Sequence, residues 1–120
     1  MISDRTAREM RTALATVTEQ GGTATKAQVS GFDVAGKTGT AWKVIGGGYD
    51  KNRKVVSFAG MLPVENPAFV CVVVIDDPQT KEVRIGGGTI AAPIFSKTAG
   101  RLASAMNLKP TRTVVASSES

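Results

Sequence analysis

The 120-residue chain has no histidine, a single cysteine and only 5% aromatic residues. Without histidine there is no Ser-His-Asp or Cys-His nucleophile pair and no His-ligated metal site. One cysteine, Cys71, allows no internal disulfide. Lysine is then the side chain most readily tuned into a general base near neutral pH, by burial or by a neighbouring cation. No run approaches the ~18 uninterrupted apolar residues of a membrane span, and Met1 is not followed by a basic-then-apolar signal segment. The chain therefore carries no address that its sequence displays. Nucleic-acid binding is not expected. Lys37, Lys43, Lys51, Arg53 and Lys54 gather against Asp50 alone, but base-stacking aromatics are sparse and no recognised motif accompanies them. These charges read as a solvated, mildly anion-attracting face.

What is present is an ordinary globular composition of 42% hydrophobic residues with a net charge of +5, enough for one modest core. Residues 3–20 read as a helix, with Ala7, Met10, Leu14 and Val17 at helical spacing, Ser3 or Asp4 as N-cap and Gly21-Gly22 as terminator. Residues 32–45 read as a strand punctuated by Gly36 and Gly39, which implies close approach by another group. Gly46-Gly47-Gly48-Tyr49-Asp50 is the turn of a long-looped hairpin into a second strand over 55–62, stopped by Pro63. Phe69-Val70-Cys71-Val72-Val73-Val74-Ile75 is apolar on both faces and is expected to be a fully buried strand with Cys71 in the core. After Asp76-Asp77-Pro78 and a glycine-ended loop, a second helix is expected over 92–106, with Pro93 in its first turn and Phe95, Ala99, Leu102 and Met106 as its apolar face. The fold class is α+β: helix, three-stranded antiparallel sheet, helix, in two layers.

Three glycine-rich signals compete. Gly31-Phe32-Asp33-Val34-Ala35-Gly36-Lys37-Thr38 fits the phosphate-loop pattern G-x-x-x-x-G-K-[ST], and Asp76-Asp77 at the end of an apolar run imitates a magnesium-holding strand. The pattern needs a strand before it and a helix starting at Lys37-Thr38, whereas residues 23–30 hold one Val and residues 39–45 look like a strand. Gly86-Gly87-Gly88-Thr89-Ile90-Ala91 fits a dinucleotide fingerprint but lacks the ribose-binding acid about 20 residues later. The third reading places Lys37-Thr38-Gly39-Thr40 on a strand. Period-two alternation then puts the Thr38 and Thr40 hydroxyls on one face to hold a carboxylate, and an outward Thr40 N–H faces a developing oxyanion. Lys37 falls on the opposite face and must curl around an open edge beside Gly36 to join them.

On this third reading the sequence resembles the C-terminal part of the transpeptidase domain of class B penicillin-binding proteins, whose signatures include K-T-G. Val34-Ala35-Gly36-Lys37-Thr38-Gly39-Thr40-Ala41 is similar to the family's active-site strand, and Gly21-Gly22-Thr23-Ala24 to a Gly-Thr-rich loop upstream of it. Phe58-Ala59-Gly60-Met61-Leu62-Pro63, Val73-Val74-Ile75-Asp76-Asp77-Pro78, and Gly87-Gly88 through Ala91-Ala92-Pro93-Ile94-Phe95 resemble the segments that follow. The resemblance implies a partial penicillin-binding-protein/β-lactamase-like fold over residues 1–108, with 109–120 as a disordered tail. It implies acyl transfer: a serine attacks the penultimate D-Ala of a peptidoglycan stem peptide, the terminal D-Ala leaves, and an amine takes the acyl group. β-Lactams imitate the D-Ala-D-Ala substrate. By the same resemblance Lys37 and Thr40 are catalytic, Lys37 through proton relay and carboxylate attraction, Thr40 through its amide in the oxyanion hole. Thr38, Gly39, Thr40 and Trp42 contact substrate or β-lactam. No metal or organic cofactor is implied, and the family is membrane-anchored and extracytoplasmic.

The family's S-x-x-K nucleophile motif and S-x-N motif do not occur in this sequence; Thr23-Ala24-Thr25-Lys26 has the spacing with the wrong nucleophile. The chain by itself is thus expected not to acylate and to rely on the N-terminal part of such a domain. Burial of one Leu-sized side chain is worth ~1.5–3 kcal/mol against a margin of ~5–15, so uncovered apolar surface implies marginal stability or self-association. A nucleotide-binding protein using residues 31–38 and a non-catalytic interaction module stand as the alternatives.

Overall fold

In the computed structural model, which describes residues 1–19, 21–79 and 86–111, the first helix, α1, spans Asp4–Ala15. Ser3 caps it, its hydroxyl accepting the Thr6 N–H at 3.1 Å. The helix stops short of the expected residue 20. The N–H groups of Thr16, Val17 and Thr18 take carbonyls three residues back at 3.2–3.3 Å, which winds the chain into successive turns. Thr18 is buried there and donates its hydroxyl to Val34 O at 2.8 Å, tying these turns to the chain that enters the sheet. Of the expected apolar face only Val17, half-buried and beyond the end of α1, packs against the core; Ala7 and Leu14 are half-buried and Met10 is exposed. Arg11 holds the helix instead, donating from Nε to Val64 O at 2.7 Å.

Three antiparallel strands follow in the order β1 (Ala35–Ile45), β2 (Gly48–Leu62) and β3 (Phe69–Asp76). β1 begins three residues later than expected, because Phe32 is bridged to Val29 in a local turn. The β1–β2 hairpin is tight. Gly46 and Gly47 have φ of 62° and 84°, the pair of left-handed residues that a two-residue turn with matching strand twist needs, so residues 48–50 belong to β2. A register shift at Trp42/Lys43 bends the outer part of β1.

One face of this sheet carries the core. Val56, Phe58 and Leu62 are buried on it, with Phe69, Cys71 and Val73 half-buried beside them. Across it lies α2 (Ala92–Ala105), entered through one π-type turn, Gly87–Ala91, with Pro93 in the first turn of the helix. Its buried stripe is Ala92, Phe95, Ala99 and Ala103, whereas Leu102 and Met106, expected inside, face outward. Phe95 and Phe58 meet edge to face, ring centroids 4.9 Å apart. Gly60 makes this possible, since a Cβ there would lie 2.5 Å from Phe95 Cζ.

The second face is open, contrary to the two-sided burial expected of β3: Val70, Val72 and Val74 are 64, 59 and 61% exposed. An unbroken β-branched run reads as doubly buried, but the described residues supply a covering layer to one face only. Cys71 accordingly packs against the core without being sealed in it. The expected tail falls mostly outside the described residues; within them, Thr111 N–H donates to Gly31 O at 2.9 Å.

Candidate active-site wall on strand β1

Lys37-Thr38-Gly39-Thr40 lies in the middle of β1, an outer strand whose one described neighbour is β2. A phosphate loop is therefore not formed: Lys37 and Thr38 are mid-strand, and no helix begins at them as that loop requires. Asp76 and Asp77 are engaged by cations, Lys43 Nζ at 2.7 Å and Arg53 Nη2 at 2.9 Å. The Gly86–Ala91 stretch is no dinucleotide cradle either, because it packs hard on β1.

Gly87 and Gly88 set that packing. A Cβ at Gly87 would run into Ser57 O and lie 3.0 Å from both Gly39 N and Thr38 Cβ; one at Gly88 would run into Thr23 O. Two adjacent residues without side chains thus bring the π-type turn against the core-side face of β1. Between them opens a cleft of about 490 Å³ lined by Gly22, Thr23, Thr38, Thr40, Gly86, Gly87, Gly88 and Thr89. Its wall bears hydroxyls and backbone amides but no carboxylate, a lining suited to an anion. Gly87 N–H donates to Thr40 Oγ1 at 3.3 Å. A smaller cavity of about 200 Å³, walled by Thr18, Phe32, Val34 and Val64 among others, shares no residue with this cleft.

Thr38 and Thr40 line the cleft on one face of β1. Lys37 lies on the other face and is exposed, and its ammonium returns to the strand to donate to Thr38 O at 3.2 Å. Within a strand the N–H and C=O of one residue point to the same side, and residues two apart repeat the direction. Gly39 has a reason of its own: a Cβ there would sit 2.6 Å from Ser57 Oγ, so the close neighbour is a strand side chain of the same sheet. Trp42 follows Thr38 and Thr40 on the strand at period-two spacing, 46% exposed, and stands outside the cleft. Thr23 and the Gly86–Thr89 turn were not identified as site residues. Their glycine and threonine content was visible, but nothing local tells which strand they touch.

K-T-G is a signature motif of penicillin-binding proteins and the related β-lactamases, and here it lies on an outer strand of a helix-backed antiparallel sheet. Residues 1–100 match the penicillin binding protein transpeptidase domain, and the chain belongs to that family. It is 40% identical over 116 residues to the probable peptidoglycan D,D-transpeptidase PenA of Neisseria gonorrhoeae, covering 97% of this chain and 20% of PenA. With the peptidoglycan D,D-transpeptidase FtsI of Escherichia coli K12 it shares 40% identity over 90 residues, 75% of this chain and 15% of FtsI. The transpeptidase domain of penicillin-binding protein 3 from Burkholderia pseudomallei superposes with a TM-score of 0.84 at 41% identity, over 93% of this chain and 33% of that one. Penicillin-binding protein 3 of Mycobacterium tuberculosis, solved in complex with ampicillin, superposes with a TM-score of 0.78 at 30% identity, over 93% of this chain and 26% of that one. The chain thus spans about a fifth of the length of PenA.

Proposed function

We propose that this chain supplies the K-T-G wall of a peptidoglycan D,D-transpeptidase, residues 1–108 forming the sheet side of the acyl-transfer site. The observation that carries the reading is the convergence of Thr38, Thr40 and the Gly87 amide on one anion-suited cleft, with the Lys37 ammonium at the Thr38 carbonyl. The Thr38 and Thr40 hydroxyls hold the carboxylate of the stem peptide or of a β-lactam, and Gly39 and Trp42 flank the bound acyl donor. Lys37 attracts that carboxylate and takes part in proton relay. If the Thr38 carbonyl that Lys37 reaches faces the outer edge, the Thr40 N–H faces it too and provides one donor for the oxyanion.

The reaction begins when a serine oxygen attacks the penultimate D-Ala carbonyl carbon. The tetrahedral oxyanion collapses, the C–N bond breaks, and the terminal D-Ala leaves with the proton the serine gave up. An acceptor amine then displaces the serine from the acyl group. No S-x-x-K or S-x-N stands in these 120 residues, so serine and base belong to a part of the domain that these residues do not include, which also covers the open Val70, Val72 and Val74 face. The working enzyme is anchored in the bacterial inner membrane with this domain outside the cytoplasm.

Labelling with a fluorescent penicillin tests the reading. The chain alone should take up no covalent label. Mixed with the S-x-x-K- and S-x-N-bearing part of a PenA-type domain, it should restore label on that partner polypeptide. Covalent label on the 120-residue chain alone, or a soluble complex that takes none, contradicts it.

A further inference from the structure

Thr40 accepts a hydrogen bond from a backbone group that can only donate. Gly87 N–H points at Thr40 Oγ1 at 3.3 Å, so the proton of the Thr40 hydroxyl is left for another acceptor. Thr89 closes the turn next to Gly87. Its Oγ1 accepts the Gly86 N–H at 3.1 Å and donates to Gly86 O at 3.3 Å, closing both backbone groups of the residue just before Gly87. The Thr89 and Ile90 N–H groups also converge on Gly86 O, at 3.3 and 3.0 Å. On its sheet side Gly87 lies close in: a Cβ there would meet Ser57 O of β2, with Gly39 N and Thr38 Cβ of β1 3.0 Å away.

We propose that Thr89 is a positioning residue for Thr40: by closing the Gly86-Gly87 turn it aims the Gly87 N–H at Thr40 Oγ1, and so directs the Thr40 hydroxyl proton to the carboxylate of the acyl donor. The proposal rests on the transpeptidase reading for the identity of the anion and on the hydrogen bonds alone for the positioning. A hydroxyl already oriented before the ligand arrives needs no reorientation on binding, so the effect falls on carboxylate binding more than on the acylation step.

The experiment has two arms. In the 120-residue chain, Gly87 amide exchange followed by NMR should quicken about tenfold in Thr89→Val and stay near wild type in Thr89→Ser, which keeps the hydroxyl. In the complemented domain, Thr89→Val should weaken binding of benzylpenicillin about tenfold, with the acylation rate at saturation within about twofold and with Thr89→Ser restoring it. Benzylpenicillin methyl ester, which lacks the anion, should react alike with all three. Unchanged Gly87 exchange in Thr89→Val overturns the positioning, as does an equal loss on acid and ester. A wild-type complemented domain that is not acylated overturns the transpeptidase reading instead, and with it the carboxylate as the anion. The Gly87 arm then still decides whether Thr89 places the amide.

Discussion

Phe95→Ala should destabilise the chain by about 3–5 kcal/mol, a large part of the ~5–15 kcal/mol that holds an ordinary domain together. Phe95 is fully buried and meets Phe58 at 4.9 Å between centroids with the rings inclined at 61°. The remaining buried residues of α2 are Ala92, Ala99 and Ala103, none long enough to swing into the space the ring vacates. On the sheet side the ring lies over Gly60, which offers no side chain to fill it either. The cavity therefore stays open, and the cost falls at the upper end for a buried aromatic. Urea unfolding followed by circular dichroism measures it. A loss below about 1 kcal/mol would show that the Phe58–Phe95 contact is not what joins helix to sheet.

Gly87→Ala should lower penicillin acylation of the complemented domain on the order of a hundredfold while leaving the secondary structure in place. The backbone at Gly87 is not left-handed, so alanine meets no conformational penalty and the effect is steric. Its methyl group would run into Ser57 O, a main-chain atom of β2, with Gly39 N and Thr38 Cβ 3.0 Å away on β1. A strand cannot give way there without breaking its ladder, so the turn must retreat and carry the Gly87 N–H away from Thr40 Oγ1. Acylation kinetics beside circular dichroism separate the two effects. Acylation within twofold of wild type contradicts the account of the cleft.

The order of elements was legible in the sequence because each carries a strong local signal. Ser3 marks a helix start, the glycines at 46 and 47 a turn, and the Val-rich run at 70–74 a strand. Lys37-Thr38-Gly39-Thr40 was legible as part of a strand because its flanks exclude the helix that a phosphate loop requires. Burial was less legible, for reasons that are tertiary. Val70, Val72 and Val74 look like core residues, yet their exposure depends on whether a second layer covers that face, which no local pattern records. The stripe of α2 was placed on Phe95, Ala99, Leu102 and Met106; Phe95 and Ala99 are buried in it, but where the helix approaches the sheet closely, at Gly60, it is completed by the small Ala92 and Ala103 in place of Leu102 and Met106. The helix at α1 was drawn too long because Val17 continues the apolar spacing, while the side chain that fixes the chain there is the neighbouring Thr18, through Val34 O. The contact of Gly87 with Thr40 joins residues 47 apart in sequence and had no signal beyond two separate glycine-threonine clusters.

Whether these residues form the K-T-G wall of a serine acyl-transfer site is decided by the second-order rate constant for penicillin acylation of the complemented domain with Lys37→Ala. Lys37 is exposed and packs into no core, so the variant should fold as the wild type does. The rate constant should fall on the order of 10²–10⁴-fold, the range expected when a group that positions charge or moves a proton is removed. A rate constant within twofold of wild type, on a complex of unchanged stability, would contradict the assignment of these residues to that wall.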